Sequence, residues 1–151
     1  MESKIDLNDI IWIETNAVWL YPILKEYITA GRNLEMNYLS LGSLRYDEKY
    51  FVGYLFHADK HDLQIELVSY IQYKMKPNKL ILNYMETVER YRGNGIANAA
   101  IDKFVIKTIN DPNIVVDITT LSADGRKSNL AGKFQAKLNG EISVKNKRDI
   151  M

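Results

Sequence analysis

The chain has 151 residues, 46% of them hydrophobic and 26% charged, with a formal net charge of +1. These proportions suit one folded domain over residues 1–151, and glycine (8) and proline (3) are too scarce for a collagen-like or low-complexity chain. The absence of cysteine excludes a disulfide framework, a thiolate zinc site and a cysteine nucleophile.

The near-neutral total hides an asymmetry. Ser122 to the end carries a net +4, and the first 121 residues carry −3. No apolar run approaches the roughly 20 residues that span a bilayer. The first residues carry Glu2, Asp6 and Asp9 rather than the apolar core of a signal peptide. The expectation is a soluble, cytoplasmic protein with no membrane partner.

Ile5–Ile13 is apolar-rich and reads as a first strand. Thr15 or Asn16 then caps a helix carrying Val18, Trp19, Ile23, Tyr27 and Ile28, with Pro22 as a break or kink and Gly31 as a stop. Leu34–Leu41 reads as a second short helix ending at Gly42. Tyr50–His57 is aromatic and β-branched, a strand. Leu63–Tyr73 alternates as a long strand, with Ile65, Leu67, Ser69 and Ile71 on one face. Lys76-Pro77-Asn78 is a turn, and Lys79–Val88 a third strand of an antiparallel meander. Ile96, Ala100, Ile101, Phe104 and Val105 then line one stripe of a helix that Asn110-Asp111-Pro112 ends. Asn113–Thr120 reads as a buried strand, joined through that helix by a parallel-type crossover. Ser122 or Asp124 caps a last helix reaching Leu138, and Glu141–Lys145 leaves room for one short strand.

The chemistry concentrates at Met85-Glu-Thr-Val-Glu-Arg-Tyr-Arg-Gly-Asn-Gly-Ile-Ala97, where a strand runs through a glycine-containing turn into a helix. Backbone N–H groups at such a turn lack intrahelical partners, and the helix dipole adds positive charge. The result is an anion pocket suited to a phosphate, with Arg92 and Arg90 adding formal charge. The spacing fits neither a P-loop, which needs Gly-Lys-Ser/Thr, nor a dinucleotide fingerprint, because Asn98 stands where a third glycine belongs.

Arg92-Gly93-Asn94-Gly95-Ile96-Ala97 resembles the Arg/Gln-x-x-Gly-x-Gly/Ala signature of the GNAT superfamily of acetyl-CoA-dependent N-acetyltransferases. The resemblance extends in element order from Tyr50 to Leu138. It implies an α/β fold with a GNAT-like mixed sheet. That sheet has an antiparallel meander, a strand–helix–strand crossover, flanking helices and here a shortened C-terminal strand region. It implies acetyl-CoA as cosubstrate, no metal, and direct transfer to a primary amine of a small molecule or a protein. Cofactor contacts would fall at Met85, Glu86, Thr87, Arg92, Gly93, Asn94, Gly95, Ile96 and Ala97, with Arg126 and Asn129 from the last helix. The strand ending at Thr87 and the one at Asn113–Thr120 would splay apart to admit the pantetheine arm.

Direct attack needs a base for the amine proton. Glu86 is the first candidate, then Asp117, with Glu66 and Tyr84 behind them. The family's usual proton-donating tyrosine falls at Gln135 in one register and at Ala136 in the other. A coenzyme A-binding sensor without catalysis is therefore the alternative, and a nucleic-acid binder with a basic C-terminal third is a weaker one, since no aromatic platform is interleaved with those charges. The short tail also admits a homodimer in which a second copy completes the sheet. His57 and His61 lack the setting of a metal site.

Overall fold

Aromatic and β-branched residues between Ile11 and Thr87 build four antiparallel strands. They are β1 (Ile11–Asn16), β2 (Lys49–Ala58), β3 (Leu63–Lys76) and β4 (Lys79–Thr87). This computed structural model describes residues 4–58, 63–109, 114–118, 133 and 143–145. Helix α1 (Ala17–Thr29) follows β1, and α2 (Ile96–Thr108) carries the chain from β4 to β5 (Val115–Asp117). β5 lies parallel to β4, and β6 (Ser143–Lys145) lies parallel to β5. The described strands form one mixed sheet in the order β1-β2-β3-β4-β5-β6. The meander and the parallel crossover expected from the periodicity are therefore present. The expected final helix, with Arg126, Asn129 and Gln135, lies outside the described residues apart from Lys133.

Among the described residues each face of the sheet is covered by one helix. Ile96, Ala100, Ile101 and Phe104 of α2 pack on Phe51, Ile71, Tyr73, Leu80 and Leu82. Ala17, Leu20, Leu24 and Tyr27 of α1 pack on Tyr50, Val52, Leu67 and Tyr70. Each fully buried side chain of this size contributes about 1.5–3 kcal/mol.

Three expectations need correction. Residues 5–13 do not form one strand. The Asp6 carboxylate accepts from Asn8 N at 2.9 Å and fixes a 3-10 turn at Leu7–Asp9, so the strand begins at Ile11. Pro22 does not divide α1. The N–H it lacks would serve the carbonyl of Val18, a residue 69% exposed, where water can substitute. Asn16 caps this helix through Trp19 N at 3.2 Å. Residues 34–40 are not helical, and only a 3-10 turn at Leu41–Ser43 follows: Asn33 Oδ1 accepts from Glu35 N at 2.9 Å, and Glu35 itself has φ +60°.

Two β-bulges reset the alternation. In β3 the pairing steps from Gly53↔Ser69 to Tyr54↔Leu67, which leaves Val68 as the extra residue. In β4 it steps from Gln72↔Tyr84 to Tyr73↔Leu82, which leaves Asn83 as the extra residue. A bulge adds one residue to the count, so side chains beyond it change face. Leu80 and Leu82 accordingly pack in the α2 cluster, whereas Tyr84 packs in the α1 cluster and Met85 returns to the α2 side.

The β1–β2 pairing places Trp12 directly across from Gly53. A Cβ at Gly53 would stand 2.5 Å from the Trp12 ring, which stacks on Phe51 at 5.7 Å. Gly53→Ala should therefore destabilise the chain by about 1–3 kcal/mol through overpacking. Urea denaturation followed by tryptophan fluorescence measures this; an unchanged midpoint would contradict it.

Candidate functional site

The backbone at the end of β4 makes the site. Among the described residues β4 pairs with β5 through Lys79–Ile81, and it then continues to Thr87. The Asn83 bulge follows two residues after the last paired one, and a bulge bends its strand. Beyond Thr87 a 3-10 turn at Glu89–Tyr91 and the glycines Gly93 (φ +87°) and Gly95 (φ +79°) lead into α2.

Gly95 is the N-cap of α2, and its positive φ is a conformation glycine adopts without penalty. It supplies no side-chain cap, and no acid stands in the first turn. The first-turn N–H groups, on Ile96, Ala97 and Asn98, therefore keep the full positive end of the helix dipole. They open into a cavity of about 330 Å³. Met85, Glu86 and Thr87 of β4 form its other wall, with Tyr91, Arg92, Gly93 and Lys133 around it. Arg92 is exposed and makes no ion pair with a described residue. A cavity with aligned N–H donors, two cations and a strand end suits an extended anionic ligand.

No protein-family model matches the chain, and no curated protein or solved structure is significantly similar to it. The site is therefore read from its own geometry.

Of the nine turn and strand residues expected to contact a cofactor, eight line this cavity. Asn94 does not. Its Nδ2 donates to the Tyr91 carbonyl at 2.8 Å and its Oδ1 accepts from Ile5 N at 3.3 Å, so it ties the turn to the N-terminal segment. Tyr91, Asn98 and Lys133 line the cavity without having been singled out. Asn98 was legible, because the third helical residue still carries a free N–H.

Glu86 is buried at 6% exposure, and its carboxylate is fully engaged. It accepts from Asn37 N at 2.6 Å, Tyr38 N at 2.9 Å and the Tyr70 hydroxyl at 2.5 Å. Burial, and then the Glu86 carboxylate, push the Tyr70 hydroxyl far above its ordinary pKa, so it stays a donor. Glu86 thus fastens residues 37–38 to the sheet. Tyr84 lies away from the cavity and packs at a tilt against Tyr38, with ring centroids 5.3 Å apart. Asp117 also lies away from it: it is paired in register with Ile81 and bridged by Lys79 Nζ at 3.2 Å. That is six residues, about 20 Å of strand, below Thr87.

Arg90 is not a phosphate ligand in waiting. Its guanidinium bridges Glu35 and Glu66, and its backbone N–H donates to Glu35 Oε1 at 3.1 Å. Glu66 also meets His57 Nε2 at 2.7 Å and the Tyr91 hydroxyl at 3.0 Å. Burial pushes the Glu66 carboxyl up, but hydrogen bonds from His57 and Arg90 outweigh this and hold it below 4.5. This network braces the turn that leads into the cavity.

A depressed carboxyl stabilises the fold above its unfolded pKa, and that stability is lost as pH falls through the folded value. Stability should therefore fall as pH drops below about 4.5, and Glu66→Gln should flatten that fall. Urea midpoints between neutral and acid pH test this; an equal acid slope in both chains would contradict it. Among the described residues no cluster of three or more metal-binding side chains is present, and no helix is long and apolar enough to cross a membrane.

Proposed function

We propose that the chain is a GNAT-type N-acetyltransferase that moves an acetyl group from acetyl-CoA to a primary amine. One observation carries the reading: the uncapped N-terminus of α2 opens into a cavity walled by the end of β4. The N–H groups of Ile96, Ala97 and Asn98, with Arg92 and Lys133, hold the pyrophosphate. Met85–Thr87 offers a strand edge to the pantetheine arm, which pairs as a short added strand. Bound acetyl-CoA supplies an activated thioester.

Transfer needs no covalent enzyme intermediate, which agrees with a chain that has no cysteine. The amine nitrogen bonds to the acetyl carbonyl carbon, the carbon–sulfur bond breaks, and the thiolate leaves. Glu86 builds this site rather than taking the proton, because three donors already occupy its carboxylate. Water accepts the amine proton, and the thiolate is protonated from solvent.

A thiol-release assay across a panel of amines tests the activity. Acceptor-dependent release is the expected result. Coenzyme A binding without release from any amine would favour the second reading, a coenzyme A-binding module. The observation on that side is that Glu86 and Asp117 are both held by structural partners.

A further inference from the structure

A second cavity, of about 450 Å³, lies against the same stretch of β4. Asn83, Tyr84, Tyr38, Glu48 and Gln72 line it, with Ser43 and Arg45 at its edge of residues 43–48. The bulge at Asn83 sends Tyr84 to the α1 side, whereas Met85 packs on the α2 side. The two cavities therefore lie on opposite sides of the end of β4. The Tyr38 wall is held in place by Glu86 through Asn37 N and Tyr38 N.

Glu48 is the unusual group. Its side chain is 7% exposed, and among the described residues only one carboxylate oxygen accepts hydrogen bonds. Oε1 accepts from Gln72 Nε2 at 3.3 Å and from Asn83 Nδ2. Among the described residues Oε2 meets only Arg45 Nε, at 3.8 Å and on a side chain that is 64% exposed. A buried carboxylate is costly unless a cation or donors complete it. The tilted Tyr38–Tyr84 pair beside it offers ring faces, which also attract cations.

We propose that this cavity is the acceptor subsite and that it selects an amine carrying a second positive charge, an aliphatic diamine. The inference rests on the acetyltransferase reading. The attacking amine must be neutral at the thioester, so the charge that Glu48 holds belongs to the other end of the acceptor. From Asn83 to Met85–Thr87 is two to four residues of strand, about 7–13 Å, which is the span an extended acceptor would cover from Glu48 to the reacting carbonyl.

Calorimetry in the absence of coenzyme A tests this with diaminobutane and diaminohexane against butylamine and hexylamine. The diamines should bind at least tenfold more tightly than the monoamines. Glu48→Gln should remove that advantage and leave coenzyme A affinity unchanged. Tyr84→Leu, which keeps an apolar side chain, should weaken diamine binding several-fold and decides the matter if Glu48→Gln does not fold. Equal affinity for diamines and monoamines in the natural chain would overturn the proposal, as would an undiminished diamine preference in a folded Glu48→Gln or Tyr84→Leu chain. A chain that binds diamines but not coenzyme A would overturn the acetyltransferase reading, with it the acceptor role, and leave only the diamine selectivity.

Discussion

Replacing Glu86 with alanine should destabilise the protein by about 3–5 kcal/mol and release the segment around residues 37–38. The carboxylate it removes accepts from two backbone N–H groups and from the Tyr70 hydroxyl, all within 2.9 Å. Each buried donor left without an acceptor costs about 1–3 kcal/mol, and water entering the space vacated recovers part of the total. Tyr70→Phe removes one donor and leaves the other two satisfied, so it should cost only about 0.5–1.5 kcal/mol. Amide hydrogen exchange locates the effect: protection at Asn37 and Tyr38 should collapse in Glu86→Ala and persist in Tyr70→Phe. Intact protection in Glu86→Ala would show that the loop is held by something else. Glu86→Gln separates building from proton transfer. A positioning role predicts loss of protection and of activity together at every pH, whereas a base role predicts lost activity with the loop still protected.

Gly95→Asp should leave the fold intact and abolish coenzyme A binding. Aspartate tolerates the left-handed conformation better than most residues, and a Cβ there meets only Leu7 Cδ1 at 3.8 Å. The added carboxylate stands at the positive end of α2, where it contributes about 0.3–1 kcal/mol of stability and offsets the backbone strain. The same charge repels a pyrophosphate. Stability should therefore stay near that of the natural chain while affinity falls at least about a hundredfold, or about 2.8 kcal/mol. Gly95→Asn, of nearly the same shape but neutral, should lose much less. Equal losses in the two variants would mean that shape, not charge, governs the turn, and undiminished affinity in both would remove the phosphate from it.

The turn was legible in the sequence because its signals are local. Two glycines, an arginine and an apolar helical stripe occupy consecutive positions, and they place Arg92–Ala97 at a strand-to-helix junction wherever the rest of the chain goes. The meander was legible for the same reason, since its strands are long and strongly alternating. The bulges were not. The run Leu80, Leu82, Tyr84, Glu86 reads as one face, and only tertiary pairing shows that Asn83 is an extra residue that turns Tyr84 and Glu86 to the other side. Glu86 could be recognised as a conspicuous acid, but its partners at residues 37 and 38 are 49 and 48 positions away. Residues 34–41 have helical spacing, yet their N–H groups find better acceptors in Asn33 and Glu86 than in one another's carbonyls. Asp117 is a candidate base because its strand faces the one that ends at Thr87. The structure pairs it with Lys79 at the far end of β4, a contact that depends on the strand register.

Backbone amide NMR of isotope-labelled protein titrated with coenzyme A bears most directly on the phosphate-binding turn. Saturable shifts should concentrate at Gly93, Gly95, Ile96, Ala97 and Asn98, with a second set at Met85, Glu86 and Thr87, and both should vanish in Gly95→Asp. An unchanged spectrum at millimolar coenzyme A, or shifts confined to other parts of the chain, would contradict the account.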